Sequence, residues 1–196
     1  MEHQDGLRER KKRRTRRALV EAAVRLFEEN GYDETTVADI AAAAEVSTRT
    51  FFLHFAAKED VLFAHAGGRV DLALEVVARR APGTPVDDAL AEAMELMADD
   101  ALGNDLETGL AALRVRLAAA VPALQARLLH RVVTAQADLA EAVARAYGLD
   151  PVEAAARVGA FLGAVNAATL AALRQDASPE RVRAAMHRAI GLTRRS

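Results

Sequence analysis

TVADIAAAAEVSTRTFFLHFAAK, residues 36–58, decides how this chain is read. Thr36 is a good N-cap, and Asp39 stands three residues later as a short capping box. Val37, Ile40 and Ala41 then recur at helical spacing and form a buried side. A tight turn follows at Ala44-Glu45-Val46. Ser47 caps a second short helix that runs to about His54, with Phe51 on its inner side. Phe55 closes the unit as an aromatic wedge, and Lys58 opens the helix after it. Two short helices joined by a tight turn, the second anchored from behind, form a helix-turn-helix pattern suited to placing one helix in a DNA major groove.

Upstream, a first helix is predicted from about Lys12 to Asn30, with Leu19, Ala23, Leu26 and Phe27 on one face. Asn30-Gly31 ends it, since glycine enters the left-handed region without strain. Residues 8–17, RERKKRRTRR, carry eight basic side chains against one glutamate. Beside a DNA-reading motif, such a run suits a phosphate-tracking arm. Downstream, a fourth helix is predicted from near Ala57 to Arg80, with Gly67-Gly68 inside it as a close-packing point or a soft point for bending. Ala81-Pro-Gly-Thr-Pro85 breaks the chain. Helical stretches follow near 86–102, 105–120, 122–147, 151–175 and 179–193. Pro122, Pro151 and Pro179 suit first turns, Asp150 and Ser178 suit N-caps, and Gly148 ends a helix.

The predicted fold is therefore all-α, with about nine helices. The expected organisation is a basic, flexible arm over 1–14, a three-helix DNA-binding domain over 15–63, and a second helical domain over 64–196. Composition agrees. Of 196 residues, 52% are hydrophobic, enough for a core, and alanine and leucine dominate over strand formers. The net charge of −2 does not announce a nucleic-acid binder, so the local basic run carries that signal. There is no cysteine, which removes disulfides, thiolate chemistry and cysteine-based zinc sites. The start MEHQDG does not read as a signal peptide. The most apolar segment, Val158 to Leu173, is 16 residues long and contains Asn166 and Thr169, so a buried or interface helix is expected and not a membrane span. A cytoplasmic location is expected.

No HExxH, phosphate loop or GxSxG occurs, and the five histidines show no metal-ligand spacing. Catalysis, a resident metal and a cofactor are not expected. A membrane-surface helix would need a broad apolar face with aromatic anchors, and the first helix has only Phe27, far from the basic run.

The stretch resembles the TetR family of bacterial transcriptional regulators. The matching pieces are Leu26-Phe27, Gly31-Tyr32, Thr35-Thr36-Val37, Asp39-Ile40-Ala41, Val46-Ser47, Thr50-Phe51-Phe52, His54-Phe55 and Lys58-Glu59. The resemblance covers about Thr15 to Phe63; beyond residue 80 only the helical layout agrees. Three positions depart from the family pattern. Glu45 stands where glycine is frequent, Ala57 where serine often caps, and Phe52 where tyrosine is usual.

The expected DNA-binding residues are Thr36, Ser47, Thr48, Arg49, Thr50, Phe52, Leu53, His54 and Lys58. Arg49 is the candidate for a bidentate contact to guanine O6 and N7, or else for a phosphate grip. Thr48 suits a base edge or a thymine methyl; Thr50 suits either of those or a phosphate. His54 suits a phosphate or surface packing, while Lys58 and Thr36 suit phosphate clamping. The resemblance implies a homodimer on an inverted-repeat operator in double-stranded DNA, paired through the last two helices. It also implies a repressor released by a small effector, which an aliphatic lining would make apolar. The alternative is a DNA-binding regulator or architectural protein without an effector.

Overall fold

The computed structural model describes the backbone of residues 2–195 and the side chains of residues 10–195. Among these residues there are nine α-helices and no strand. In chain order they are α1 (Glu2–Glu29), α2 (Val37–Ala43), α3 (Thr48–His54), α4 (Ala66–Arg79), α5 (Val86–Ala101), α6 (Leu110–Ala120), α7 (Pro122–Tyr147), α8 (Pro151–Leu173) and α9 (Pro179–Thr193). A 3₁₀ turn, Lys58–Phe63, precedes α4, and a π-helical turn, Leu102–Leu106, follows α5.

The helix ends follow from local side chains. Thr36 accepts from the Asp39 amide, and the Asp39 carboxylate accepts from the Thr36 amide at 2.9 Å. Ser47 Oγ accepts from the Thr50 amide at 3.1 Å. Asp150 accepts from the amides of Val152 and Glu153. Ser178 occupies the N-cap of α9, yet its hydroxyl donates to Glu180 and makes no cap bond. Gly148 ends α7 in the left-handed region at φ 64°, and Gly31 lies beyond the end of α1 at φ 88°.

Three boundaries differ from the sequence expectation. The backbone of residues 2–14, expected as a flexible arm, is continuous with α1. Of the basic run 8–17, Arg8 and Glu9 lie outside the residues whose side chains are described. The expected fourth helix is interrupted. Lys58–Phe63 is tight 3₁₀ backbone, and α4 begins only at Ala66, so Gly67 and Gly68 fall in its first turn and not in its interior. A Cβ at either glycine would meet nothing within 4 Å, so close packing does not explain them. Gly103-Asn104, between the expected helical stretches 86–102 and 105–120, lies inside the π turn.

The chain divides into two compact units. The first joins the residues up to Ala64 with Thr108–Leu117, and the second holds His65–Glu107 with the residues from Ala118 onward. In the first, α1 packs on α2 and on the 3₁₀ turn, and α2 packs on α3. Leu19, Val20, Ala23, Phe27, Ile40, Phe51, Val61 and Leu62 are buried there. Arg114 donates to the Leu62 carbonyl at 2.9 Å, and Arg116 pairs with Glu28, which fastens the Thr108–Leu117 segment to this unit. In the second, α8 packs against α9, α7 and α5, and α4 against α5 and α7. Its buried residues are mostly aliphatic, among them Val76, Leu90, Met94, Val143, Val158 and Ile190, with Phe161.

α8 extends seven residues upstream of the apolar segment read from the sequence, and its 23 residues are long and apolar enough to cross a membrane by length and composition. Within its unit it lies packed among α5, α7 and α9, while only 22% of its most apolar window is buried.

Candidate nucleic-acid interface

α3 owes its position to two aromatic side chains at one-turn spacing. Phe51 and Phe55 are buried, with ring centroids 5.6 Å apart. That fixes one face of α3 toward the unit's core and turns the rest outward. Thr48, Arg49, Phe52 and Leu53 are exposed on the outward side, and among the described residues Arg49 has no protein hydrogen bond or ion pair. Its guanidinium, with donors in a fixed fork, is available to a ligand. Thr50 is half-buried, and its hydroxyl lies 2.9 Å from Ser47 Oγ.

The far end of α3 is held by Arg16, a residue that sequence reading passed over. Its guanidinium donates to the His54 carbonyl at 2.9 Å and to the Ala64 carbonyl at 2.8 Å, and it lies 4.3 Å from the centre of the Phe55 ring. One side chain thus satisfies a carbonyl at the end of α3 and covers the aromatic wedge. Burial pushes its pKa down, offset by the charge of Asp60. The signal was present: Arg16 falls three, four and seven residues before Leu19, Val20 and Ala23, on the apolar side of α1.

His54 is half-buried, and its Nδ1 is buried without a hydrogen-bond partner among the described residues. Burial, then the cations Arg16 and Lys12, push its pKa below the ordinary histidine value. At neutral pH the ring is therefore uncharged and offers a phosphate a hydrogen bond but not a charge.

Lys58, expected as a phosphate clamp, is turned onto the protein. Its ammonium donates to the carbonyls of Tyr32 at 2.7 Å, Thr35 at 3.0 Å and Asp33 at 3.3 Å, and lies 4.3 Å above the Tyr32 ring. A loop between helices leaves carbonyls without ladder partners, and a three-donor ammonium is what they attract. Thr36 is exposed, but its hydroxyl donates to Asp39 at 2.6 Å, and that bond holds the Asp39 carboxyl below its usual range. A phosphate at Thr36 has to displace this bond. Thr35, beside it, is buried and donates to the Gly31 and Leu26 carbonyls.

Two positions read as departures have clear geometry. Glu45 sits at φ 56°, so the turn between α2 and α3 carries a non-glycine residue in left-handed backbone. Ala57 lacks a capping hydroxyl, and Asp60 takes over by accepting from the Ala57 amide at 3.1 Å. Alongside the α2–α3 turn, an open groove of about 870 Å³ is lined by Arg10, Lys11, Arg14 and Arg25, with Glu21 and Glu45 opposing them. No group of three or more metal-ligating side chains exists among the described residues.

Residues 19–65, which contain α2, α3 and the 3₁₀ turn but not Arg16 or the groove cations before it, match the family of bacterial regulatory proteins called tetR. The chain is also 36% identical over 148 residues to the HTH-type transcriptional regulator TcmR of Streptomyces glaucescens. This chain belongs to the TetR family. The TcmR match spans 74% of this chain and 66% of that protein. A shorter match, 44% identical over 48 residues, covers 24% of this chain and 21% of the HTH-type transcriptional regulator HbdR of Aromatoleum sp. (strain CIB). The TetR-family fold extends along nearly the whole chain. The fatty acid degradation regulator FadR of Bacillus halodurans aligns with a TM-score of 0.64 at 19% identity, covering 92% of this chain and 94% of that one. A TetR-family regulator of Mesorhizobium loti aligns at 0.57 and 19% identity, covering 92% and 97%.

Proposed function

We propose that this TetR-family chain is a sequence-specific DNA-binding transcriptional regulator that reads an inverted-repeat operator as a homodimer. The observation that carries the reading is the outward face of α3, where Arg49 stands without a protein partner among the described residues, beside Thr48, Phe52 and Leu53, while Phe51 and Phe55 brace the helix from behind. An exposed guanidinium on a braced helix has the reach and donor geometry for guanine O6 and N7. Thr48 reaches a neighbouring base edge. Ser47, Thr50, Thr36 and neutral His54 give phosphate contacts that set register, and the cations lining the groove along α1 add a salt-dependent contribution. Lys58 supports the site by organising the loop before α2.

One short helix spans only a few base pairs, so two copies related by a two-fold axis are needed for a specific site. α8 supports pairing. Ala156, Ala160, Gly163, Ala167 and Ala171 are exposed along one side of a helix apolar enough to prefer cover. The regulator acts as a repressor, and a small apolar effector binding among the aliphatic side chains of the second unit releases it.

The test is selection of duplexes from a random pool with the full-length protein, followed by footprinting. An enriched inverted repeat, protected on two half-sites about one helical turn apart, is the expected result. Retention of all sequences alike, with affinity set only by salt, would contradict specific reading.

A further inference from the structure

The outward face of α3 carries more apolar surface than a phosphate-gripping helix requires. Phe52 is 57% exposed and Leu53 is 73% exposed. Large hydrophobic side chains elsewhere in the first unit, such as Leu19, Phe27, Ile40, Phe51, Phe55 and Leu62, are buried. Phe52 meets Phe51 in an edge-to-face arrangement, with ring centroids 5.5 Å apart at 85°. Along a helix, Leu53 follows Arg49 by one turn, and Phe52 follows Thr48 by one turn and Arg49 by three residues. The two apolar groups and the unpartnered guanidinium therefore share one face.

That combination has a specific match. The major groove displays hydrogen-bonding edges everywhere and a single apolar group, the C5-methyl of thymine. The Phe52 ring has no hydroxyl, and neither side chain can hydrogen-bond a phosphate or a base edge. What they can do is cover a methyl group and exclude water from it.

We propose that Phe52 and Leu53 read pyrimidine C5-methyl groups, so that each half-site carries thymines flanking the base pair met by Arg49. This rests on α3 being the DNA-reading helix, and it adds which bases the helix prefers and through which atoms. Arg49 supplies preference for guanine, and Phe52 and Leu53 supply preference for methylated pyrimidine.

The test uses the full-length protein and the duplex it selects. Each thymine is replaced singly by deoxyuridine, which deletes one methyl and preserves every hydrogen-bonding group. One or two replacements per half-site should each weaken binding about 3–5-fold, as expected for a methyl-sized apolar group left in water. Phe52→Ala and Leu53→Ala alter exposed side chains outside the core, and each should erase sensitivity to one of those replacements. Arg49→Ala should keep both sensitivities while losing preference elsewhere. Placing 5-methylcytosine, but not cytosine, at a sensitive position should restore part of the affinity, which isolates the methyl from the rest of thymine. Equal binding to thymine and uracil duplexes at every position would overturn the proposal, even with specific binding intact. So would undiminished uracil sensitivity in both alanine variants. Failure to select any duplex would overturn the DNA-reading assignment itself, and this proposal with it. Loss of dimerisation in Phe52→Ala or Leu53→Ala would also overturn it, by making the patch a contact between copies.

Discussion

Arg16 joins three things that would otherwise move separately: the last carbonyl of α3, the Phe55 ring, and the Ala64 carbonyl at the end of the first unit. Arg16→Met keeps much of the side-chain volume and removes the charge and both hydrogen bonds. Operator affinity should fall about 10-fold or more as α3 loosens, since a displaced reading helix loses several contacts together. The same variant should raise the His54 pKa, because Arg16 is one of the cations holding it down. A proton NMR titration of the His54 ring reads that shift directly, and an unmoved ring titration would show that Arg16 does not act at this end of α3. A histidine whose folded pKa is depressed binds fewer protons folded than unfolded near its ordinary value of about 6.5. The His54 contribution is therefore complete above that pH and is lost as pH falls through the lower folded value. Glu45 lends itself to a gain. Glu45→Gly relieves the left-handed backbone and should stabilise the protein by about 1 kcal/mol in urea unfolding without altering base preference. The Glu45 conformation was foreshadowed by the family resemblance, which places Glu45 where glycine, the residue that tolerates left-handed backbone, is frequent. The Lys58 partners were not. They lie more than twenty residues away, and spacing says nothing of which loop carbonyls a lysine meets.

At the scale of elements, capping residues were the most legible, because Thr36, Ser47, Asp150 and Gly148 act within three or four residues of themselves. The break before α4 was not, since 3₁₀ and α backbone share the same residue preferences and tertiary contacts choose between them. Arg114 on the Leu62 carbonyl and Arg16 on the Ala64 carbonyl are two such contacts. The π turn after α5 also has a tertiary cause. Asp105, at 1% exposure, is the only buried charged residue among those described. It accepts an ion pair from Arg69 at 2.5 Å and meets His65 Nδ1 at 2.9 Å, while Asp100 meets Arg69 Nε at 3.1 Å. The turn carries Asp105 inward to these groups at the start of α4. Removing one partner from a buried pair leaves the other uncompensated, so Asp105→Asn should cost about 3 kcal/mol in urea unfolding. A loss below about 1 kcal/mol would mean that the cluster is hydrated. By contrast, α5 meets α8 and α9 through Asp87–Arg157, Asp88–Arg194 and Asp99–Arg183, all largely exposed, and single losses there should be small.

For the whole molecule, the sequence indicated an all-α TetR-family chain, since residues 19–65 carry the family match and the nine helices follow from breakers and caps. It did not indicate that Thr108–Leu117 belongs with the first unit, because Arg114 and Arg116 find partners more than fifty residues away. Ala160 and Ala167 are exposed two turns apart on α8, so glutamates at both should leave the fold intact and give a monomer in sedimentation, with operator affinity lowered at least 100-fold. A dimer that persists would move the interface elsewhere. In the proposed function, α3 reads bases and does so through Arg49. The most direct measurement is the affinity of wild type and Arg49→Ala for every single-base variant of the selected operator, at one salt concentration. Arg49→Ala should lose about 1–3 kcal/mol on the parent operator, with a collapse of preference at one symmetric position per half-site and the other positions unchanged. A uniform loss across all variants would make Arg49 a phosphate contact and contradict the claim, as would no loss at all.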